Sequence, residues 1–207
     1  MISKDVLQNI FESYRKWTIV FEGNSSGDIK YSNSFEKMVC KLHHLNFLLW
    51  EEENQARRLD LDDTTLVKIK RTGHQLNQQR NDAIERIDEW LLENHYGHLA
   101  DTDLPIRTET PGSALDRLSI LSLKKYYMGK QLERGDVGEQ HIEVCRSKLD
   151  VLLIQKEDLE LALSDLIRDL NDGKIRMKIY KQFKMYNDPN LNPHLYGSTR
   201  PINNDKN

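Results

Sequence analysis

The sequence predicts an all-α fold: a bundle of four long helices with shorter N- and C-terminal helices. Apolar residues recur at alternating three- and four-residue steps over long stretches, which is the periodicity of an amphipathic helix. Charged residues make up 30% of the 207 residues and hydrophobic residues 38%, a balance typical of helices with one apolar stripe. We therefore predict a single α-helical domain over residues 1–207, with a polar, partly flexible tail from about residue 194.

The first two helices are predicted from capping residues. Ser3 is a suitable N-cap for the first helix, which should end at the flexible loop Gly23–Gly27. The second helix should start in the cluster Ser32–Ser34 and run to about Leu59. Its apolar stripe consists of Phe35, Met38, Leu42, Leu45 and Leu49.

The third and fourth helices flank an irregular stretch from His95 to Thr108. Asp62 or Asp63 can cap the third helix, whose apolar seam is interrupted by Arg80. Thr110 is a suitable N-cap for the fourth helix, because a proline follows it at the first helical position.

A long fifth helix follows the break at Gly135–Asp136. Its near-heptad stripe predicts packing along most of the molecule and could also mediate homodimerisation. The helix should end or kink at Asp172–Gly173, and residues 175–183 predict a further short amphipathic segment that stops at Asn187–Pro189. The stripe consists of Ile142, Cys145, Leu149, Leu152, Leu159, Leu163, Leu166 and Leu170.

Composition argues against several classes of function. The net charge is only −3, with 30 basic and 33 acidic residues interspersed, so we expect no nucleic-acid partner. No apolar run approaches the roughly 20 residues of a membrane span, and the N-terminus lacks a signal-peptide core. We therefore expect a cytoplasmic protein in which Cys40 and Cys145, each set among apolar residues, are buried reduced thiols.

Polar residues form a second line on the second helix, directly beside its apolar stripe. This line reads His43, Asn46, Trp50, Glu53 and Arg57, with steps of three, four, three and four residues. Such spacing places all five side chains along one side of the helix, next to the face that packs against the core.

Two other helices carry polar residues at comparable positions. The third has a line through His74, Asn77, Asn81, Ile84 and Asp88 beside the Arg80 interruption, and the fourth has Asp116 and Arg117 in its apolar face. Buried polar groups are costly unless they pair, so these residues predict either a satisfied structural network or a pocket.

In the pocket hypothesis, Arg80 is the cationic anchor for an anionic or polar small molecule. The candidate acids or bases are His43, Glu53 and Asp116. We predict no metal site and no cofactor, because no Gly-rich phosphate loop, nucleophile elbow or metal-spaced cysteine is present. The candidate ligand-binding residues are Asn46, Trp50, Arg57, Asn77, Arg80, Asn81, Asp88 and Arg117.

Other patterns with possible chemistry are incomplete. The all-α nucleotide pyrophosphohydrolases hold magnesium with two paired-carboxylate motifs; Glu85–Asp88 fits one, but Glu51–Asn54 lacks a carboxylate of the other. Residues 84–92 superficially mimic a segment of the helical chorismate mutases, yet they also describe an ordinary amphipathic helix. The pair His95 and His98 has residue types for a metal site, but a solvated loop is the simpler interpretation.

Four segments together resemble the bacterial domain of unknown function 4254 family. The resemblance spans nearly the whole chain, although Asn54 stands where the family often has an acidic residue. The segments are Leu42–Trp50, Asn77–Asp82, Glu109–Leu121 and Lys181–Pro193.

The resemblance implies a helical, cytoplasmic, bacterial protein. Members of this family tend to be encoded near glycosyltransferase genes for cell-surface polysaccharide or lipopolysaccharide, which favours a role in envelope glycan assembly. One hypothesis is an accessory protein that binds a partner enzyme or a sugar phosphate, with Tyr180–Pro193 as a contact surface. The other is an enzyme acting on a phosphorylated sugar or nucleotide sugar, with Arg80 and Arg117 anchoring phosphate.

Overall fold

The computed structural model describes residues 1–23 and 29–196 and contains five α-helices, which confirms the predicted all-α class. Most of the predicted loop Gly23–Gly27, and the part of the predicted tail from residue 197 onward, lie outside the described residues. The helices are α1 (Lys4–Glu22), α2 (Ser34–Gln55), α3 (Asp63–Leu91), α4 (Pro111–Leu132) and α5 (Glu139–Asn171).

The predicted capping residues start four of these helices. The side chains of Ser3, Asn33, Asp62 and Thr110 each accept a hydrogen bond from a backbone N–H three residues later. The end of α2 was predicted less well, because the helix stops at Gln55 rather than near Leu59. Leu59 is fully exposed, so another helical turn would have buried no apolar surface.

Helix α4 is the centre of the bundle and touches each of the other four helices. The first half of α4 is buried or half-buried at every position except Arg117, as expected for a helix that is enclosed on several sides. Its Leu115, Leu118 and Leu123 are fully buried, and Tyr14 on α1 donates a hydrogen bond from its hydroxyl to the Leu115 carbonyl at 3.2 Å. The polar residues Asp116, Ser119 and Ser122 of α4 are therefore buried between helices.

The near-heptad stripe of α5 packs against other helices of the same chain. Cys145, Leu163 and Leu170 are buried on this stripe, and α5 packs mainly on α4. Both cysteines are free and buried, as predicted, and burial raises the pKa of Cys40 to about 12. A different side of α5 leaves four apolar side chains exposed: Val144, Val151, Ile154 and Leu161.

The C-terminal part of the chain differs from the prediction. Residues 175–183 were expected to form a short amphipathic helix, but they form no helix. The described residues after them contain short 3-10 turns at Met185–Asn187 and Pro193–Leu195. The buried residues Ile175 and Met177 alternate with a period of two, and the intervening residue pairs its backbone N–H with the connection between α3 and α4. This backbone pairing and the burial of alternate residues favour an extended conformation over a helix at residues 175–177.

Among the described residues, no helix is both long enough and apolar enough to cross a membrane.

Candidate functional site

Helices α1, α2 and α4 enclose a hydrogen-bonded polar cluster around His43. The imidazole is fully buried. Its Nδ1 lies 2.8 Å from the Ser119 hydroxyl, and its Nε2 lies 2.9 Å from the Thr18 hydroxyl and 3.1 Å from the Tyr14 carbonyl oxygen. Both ring nitrogens of His43 are therefore occupied within the protein.

The contacts of this cluster determine which groups donate and which accept each hydrogen bond. Asn46 donates from Nδ2 to the Ser119 hydroxyl oxygen at 2.9 Å, which leaves that hydroxyl to donate to Nδ1 of His43. The Thr18 hydroxyl donates to the Tyr14 carbonyl at 2.9 Å, so its oxygen can accept from Nε2 of His43. The network is satisfied when His43 is neutral and protonated on Nε2.

The electrostatics agree with a neutral His43. Burial is the main cause that lowers its pKa from 6.5 to about 3, and the hydrogen bond to the Tyr14 carbonyl opposes this only in part. With this pKa, His43 stays neutral near neutral pH. Its hydrogen bonds join α2 to α1 and α4.

Asp116 and Arg80 extend the cluster toward the surface between α3 and α4. Asn46 donates from Nδ2 to Asp116 Oδ1 at 2.9 Å. Nε of Arg80 lies 3.6 Å from the same oxygen, close enough for an ion pair but beyond a good hydrogen bond. Burial raises the pKa of Asp116, and the charge of Arg80 and the hydrogen bond from Asn46 oppose this rise.

Arg80 is the member of the cluster that reaches solvent. Its side chain is 27% exposed, whereas its Nε is buried and has no hydrogen-bond partner in the described part of the chain. An arginine with an unsatisfied donor beside a buried carboxylate is incompletely paired. Of the predicted site residues near the core, Arg80 is therefore the best placed to contact a ligand.

Asp88 of α3 lies outside this cluster, and its side chain contacts the first turn of α4. Its Oδ1 accepts a 2.7 Å hydrogen bond from the backbone N–H of Gly112, in the first turn of that helix. Burial raises the pKa of Asp88 to about 6, although hydrogen bonds from Thr110 and Gly112 oppose the rise. A Cβ atom on residue 112 would lie 2.6 Å from the Ile84 carbonyl oxygen, so glycine is required for this close approach. Asp88 joins α3 to α4.

The remaining charged candidates lie on the surface in ion pairs. Glu53 is 55% exposed and contacts Lys70 at 3.1 Å and Arg57 at 3.5 Å. Arg117 is 55% exposed and pairs with Glu109 at 2.9 Å. These three candidates therefore have partners on the protein surface and do not join the cluster around His43.

The other three candidates are neutral side chains at intermediate positions. Trp50 stacks on Tyr127, with ring centroids 5.0 Å apart and planes 3° apart, at the edge of an apolar cavity of about 670 Å³. On α3, Asn77 is half-buried and Asn81 is buried.

Two members of the cluster, Thr18 and Ser119, were not among the predicted site residues. Ser119 could have been found, because it lies three residues after Asp116 and therefore on the same face of α4. Thr18 had no comparable signal, because it belongs to the stripe of α1 that otherwise reads as ordinary core. Nor, in the described ranges, do three or more His, Cys, Asp or Glu side chains group in a way that could hold a metal ion.

A family model described as "Protein of unknown function (DUF4254)" matches residues 36–179 of the chain. The chain belongs to this family. The match covers α2 to α5 and includes His43, Asn46, Arg80 and Asp116, whereas Thr18 and the segment after residue 179 lie outside it. The comparison with curated proteins and the comparison with solved structures gave no match.

Proposed function

We propose that this chain is a cytoplasmic accessory protein that binds a partner protein in cell-envelope glycan assembly, and that the contact surface is the C-terminal segment Tyr180–Tyr196. The observation that carries this proposal is the exposure of large apolar side chains along that segment. Contiguous exposed apolar surface is typical of interaction sites, and aromatic residues are enriched in them. The exposed side chains are Tyr180, Phe183, Met185, Tyr186, Leu191 and Tyr196.

The segment is attached to α3 by polar contacts, which leaves its aromatic residues facing outward. The backbone N–H of Gln182 donates to Glu85 at 2.9 Å, and Lys181 forms ion pairs with Glu85 and Glu89. Farther along, Asn187 donates from Nδ2 to the side-chain oxygen of Gln78 at 3.1 Å. Such anchoring lowers the entropy that a partner must remove on binding.

The backbone conformation of Phe183 also supports a contact surface at this segment. Its φ is +33°, a conformation that is unfavourable for a residue with a side chain, and the side chain is 80% exposed. A strained backbone that presents an aromatic ring to solvent has no evident benefit for folding, whereas it would serve a docking surface. The flanking Lys178 and Lys184 favour a partner with an apolar groove and acidic residues at its rim.

The link to envelope glycans rests on the family resemblance and not on a residue of this chain. The alternative is an enzyme that acts on a phosphorylated sugar or nucleotide sugar between α2, α3 and α4. The geometry favours it less, because His43 is neutral with both nitrogens bonded and Glu53 is ion-paired on the surface. Its support is Arg80, whose side chain is 27% exposed and whose guanidinium group could bind phosphate.

The accessory function is tested with a triple variant, Phe183→Ser, Tyr186→Ser and Leu191→Ser. The binding partner is a purified glycosyltransferase of cell-envelope glycan assembly from the same organism, and the affinity is measured by isothermal titration calorimetry. Because these three side chains are exposed, we expect an unchanged unfolding temperature but an affinity at least about tenfold weaker.

The matched control removes three exposed apolar side chains elsewhere, by Val144→Ser, Ile154→Ser and Leu161→Ser on α5. The control should bind as the wild type does. Equal binding by both triple variants would contradict the assignment of the surface, and absence of binding by the wild type would contradict the partner class.

The enzyme alternative is tested by a thermal-shift screen of nucleotide sugars and sugar phosphates with Arg80→Ala. Stabilisation of the wild type that is lost in a folded Arg80→Ala variant would favour the alternative. A ligand at about 100 times its dissociation constant adds roughly 2.7 kcal/mol to the free energy of unfolding, which such a screen detects. Equal stabilisation of both proteins would exclude Arg80 as the anchor.

A further inference from the structure

The exposed apolar side chains of α5 form a second stripe, nearly opposite the stripe that packs on α4. The four residues are Val144, Val151, Ile154 and Leu161, with exposed fractions of 46%, 53%, 60% and 66%. Their steps of seven, three and seven residues are heptad spacing, so the four side chains share one line along the helix. Apolar residues on two sides of a helix are typical of a helix that packs on both sides. In the described part of the chain, the stripe toward α4 is covered and this one is open to solvent.

The spacing of this exposed stripe is the same when it is read from either end. If the α5 helices of two copies lie antiparallel, with the two-fold axis between Val151 and Ile154, every apolar residue of the stripe meets an apolar residue. Val151 then lies opposite Ile154 of the second copy, and Val144 lies opposite Leu161 of the second copy. A two-fold symmetric dimer requires a surface that is complementary to itself, whereas an unrelated helix does not. The symmetry of the spacing therefore favours a second copy of this chain as the partner.

Two polar residues, Ser147 and Asp158, occupy the remaining heptad positions of the stripe. In the antiparallel arrangement, Ser147 lies opposite Asp158 of the second copy, and its hydroxyl can donate a hydrogen bond to that carboxylate. A parallel arrangement would place the two copies of Asp158 against each other, and like charges at facing positions are unfavourable. The polar residues of the stripe therefore favour the antiparallel orientation.

The length of the stripe sets the expected strength of the dimer. From Val144 to Leu161 the stripe extends over about 25 Å of helix, at about 1.5 Å per residue. Val151 also lines the apolar cavity beside Trp50, which continues the apolar surface to one side of the stripe. We expect one pair of helices of this length to bury under about 1,200 Å² in total, at the low end of the range for protein interfaces. Such an interface fits a dimer that dissociates at micromolar concentrations.

We propose that two copies of this chain form a two-fold symmetric dimer through the exposed stripe of α5, with the two α5 helices antiparallel. The near-heptad stripe, for which homodimerisation was considered from the sequence, takes no part because it packs on α4. The dimer surface lies on α5 and the proposed docking segment is Tyr180–Tyr196, so either proposal can fail without the other.

The first test measures the dissociation constant of the full-length protein by sedimentation equilibrium. We expect a value between about 1 and 100 µM for the wild type. Val151→Glu places two charges beside the two-fold axis and should weaken the dimer at least about tenfold. The matched control is Val67→Glu on α3, because Val67 is 46% exposed and Val151 is 53% exposed. The control should dimerise as the wild type does, and both variants should keep the unfolding temperature of the monomer.

A second variant tests the register by strengthening the dimer. In the antiparallel arrangement, Asp150 of each copy lies beside Glu157 of the other copy, on the flank of the stripe. Asp150→Lys converts these two like-charge contacts into opposite-charge contacts and should tighten the dimer about threefold or more at low salt. In a parallel arrangement residue 150 would lie beside Gln155, and the same variant would change little.

Disulfide cross-linking tests the orientation directly. A mixture of the Val151→Cys and Ile154→Cys proteins should form an intermolecular disulfide on oxidation, because these positions face each other across the two-fold axis. Each variant alone should form much less, and the native Cys40 and Cys145 are buried. A disulfide in Val151→Cys alone that equals that of the mixture would contradict the antiparallel orientation.

Three other results would overturn the proposal. They are a wild type that stays monomeric up to about 0.5 mM, equal effects of Val151→Glu and Val67→Glu on dimerisation, and a dimer that Asp150→Lys does not tighten.

Discussion

Replacement of His43 by glutamine should change how the stability of the protein depends on pH. In the folded protein His43 is neutral, because burial lowers its pKa to about 3 from an ordinary value of 6.5. The unfolded chain exposes the imidazole and binds a proton below about pH 6.5. As pH falls, the proton bound by the unfolded state makes unfolding more favourable. The contribution of His43 to stability is therefore complete above pH 6.5 and is lost as pH falls toward 3.

The magnitude follows from the two pKa values. At pH 5 the unfolded histidine is almost fully protonated while the folded one is still neutral. Linkage between these states lowers the free energy of unfolding by about 2 kcal/mol relative to pH 7, at 1.36 kcal/mol per pKa unit. The His43→Gln variant can form hydrogen bonds at this position but does not titrate, so it should lack this loss.

The assay compares urea unfolding of the wild type and His43→Gln at pH 7 and pH 5. The variant is expected to be less stable at pH 7, because His43 holds three helices together. The difference between the two proteins should shrink by about 2 kcal/mol at pH 5. The raised pKa values of Asp88 and Asp116 affect both proteins and cancel in the comparison. A difference that is the same at both pH values would refute the reasoning that His43 is buried and neutral.

Two further predictions concern the polar contacts of α4, and both are measured as changes in the urea midpoint. Gly112→Ala should destabilise the protein by at least about 2 kcal/mol, because its Cβ would lie 2.6 Å from the Ile84 carbonyl oxygen, whereas Gly129→Ala should be neutral or stabilise by up to about 1 kcal/mol. Equal changes of stability in the two alanine variants would contradict the close approach of residue 112 to the Ile84 carbonyl oxygen. Asp116→Ala should lower the free energy of unfolding by about 2–4 kcal/mol, because it leaves the Asn46 amide without this acceptor. Asp116→Asn should lower it less, because it keeps an oxygen at this position. Equal losses of stability in the two variants would refute the role of the Asp116 oxygen as acceptor.

The helices could be predicted from the sequence because their signals are local. Ser3, Thr110 and the pair Asp62 or Asp63 are predicted as caps because each has a side chain that can accept a hydrogen bond just before an apolar periodic run, and Asp62 is the one that caps α3. The apolar stripes identified the core in the same way. The end of α2 was less predictable, because whether an added turn is stable depends on the surface it would bury.

Part of the candidate site could also be predicted. His43, Asn46 and Asp116 lie beside apolar stripes, and the structure joins them through hydrogen bonds with Ser119. The same reasoning grouped Glu53 with them, because three- and four-residue spacing gives the direction of a side chain but not what lies opposite it. Along α2 the same line passes from the core at His43 to solvent at Glu53.

The sequence by itself determined the helical class, four of the five helix starts and the family, because each depends on residues close together in the chain or on a pattern of residue types. Only the tertiary structure decided which polar side chains meet and that residues 175–183 form no helix. Those outcomes depend on which helix faces meet across the bundle. Distant residues set that arrangement, so local spacing does not reveal it.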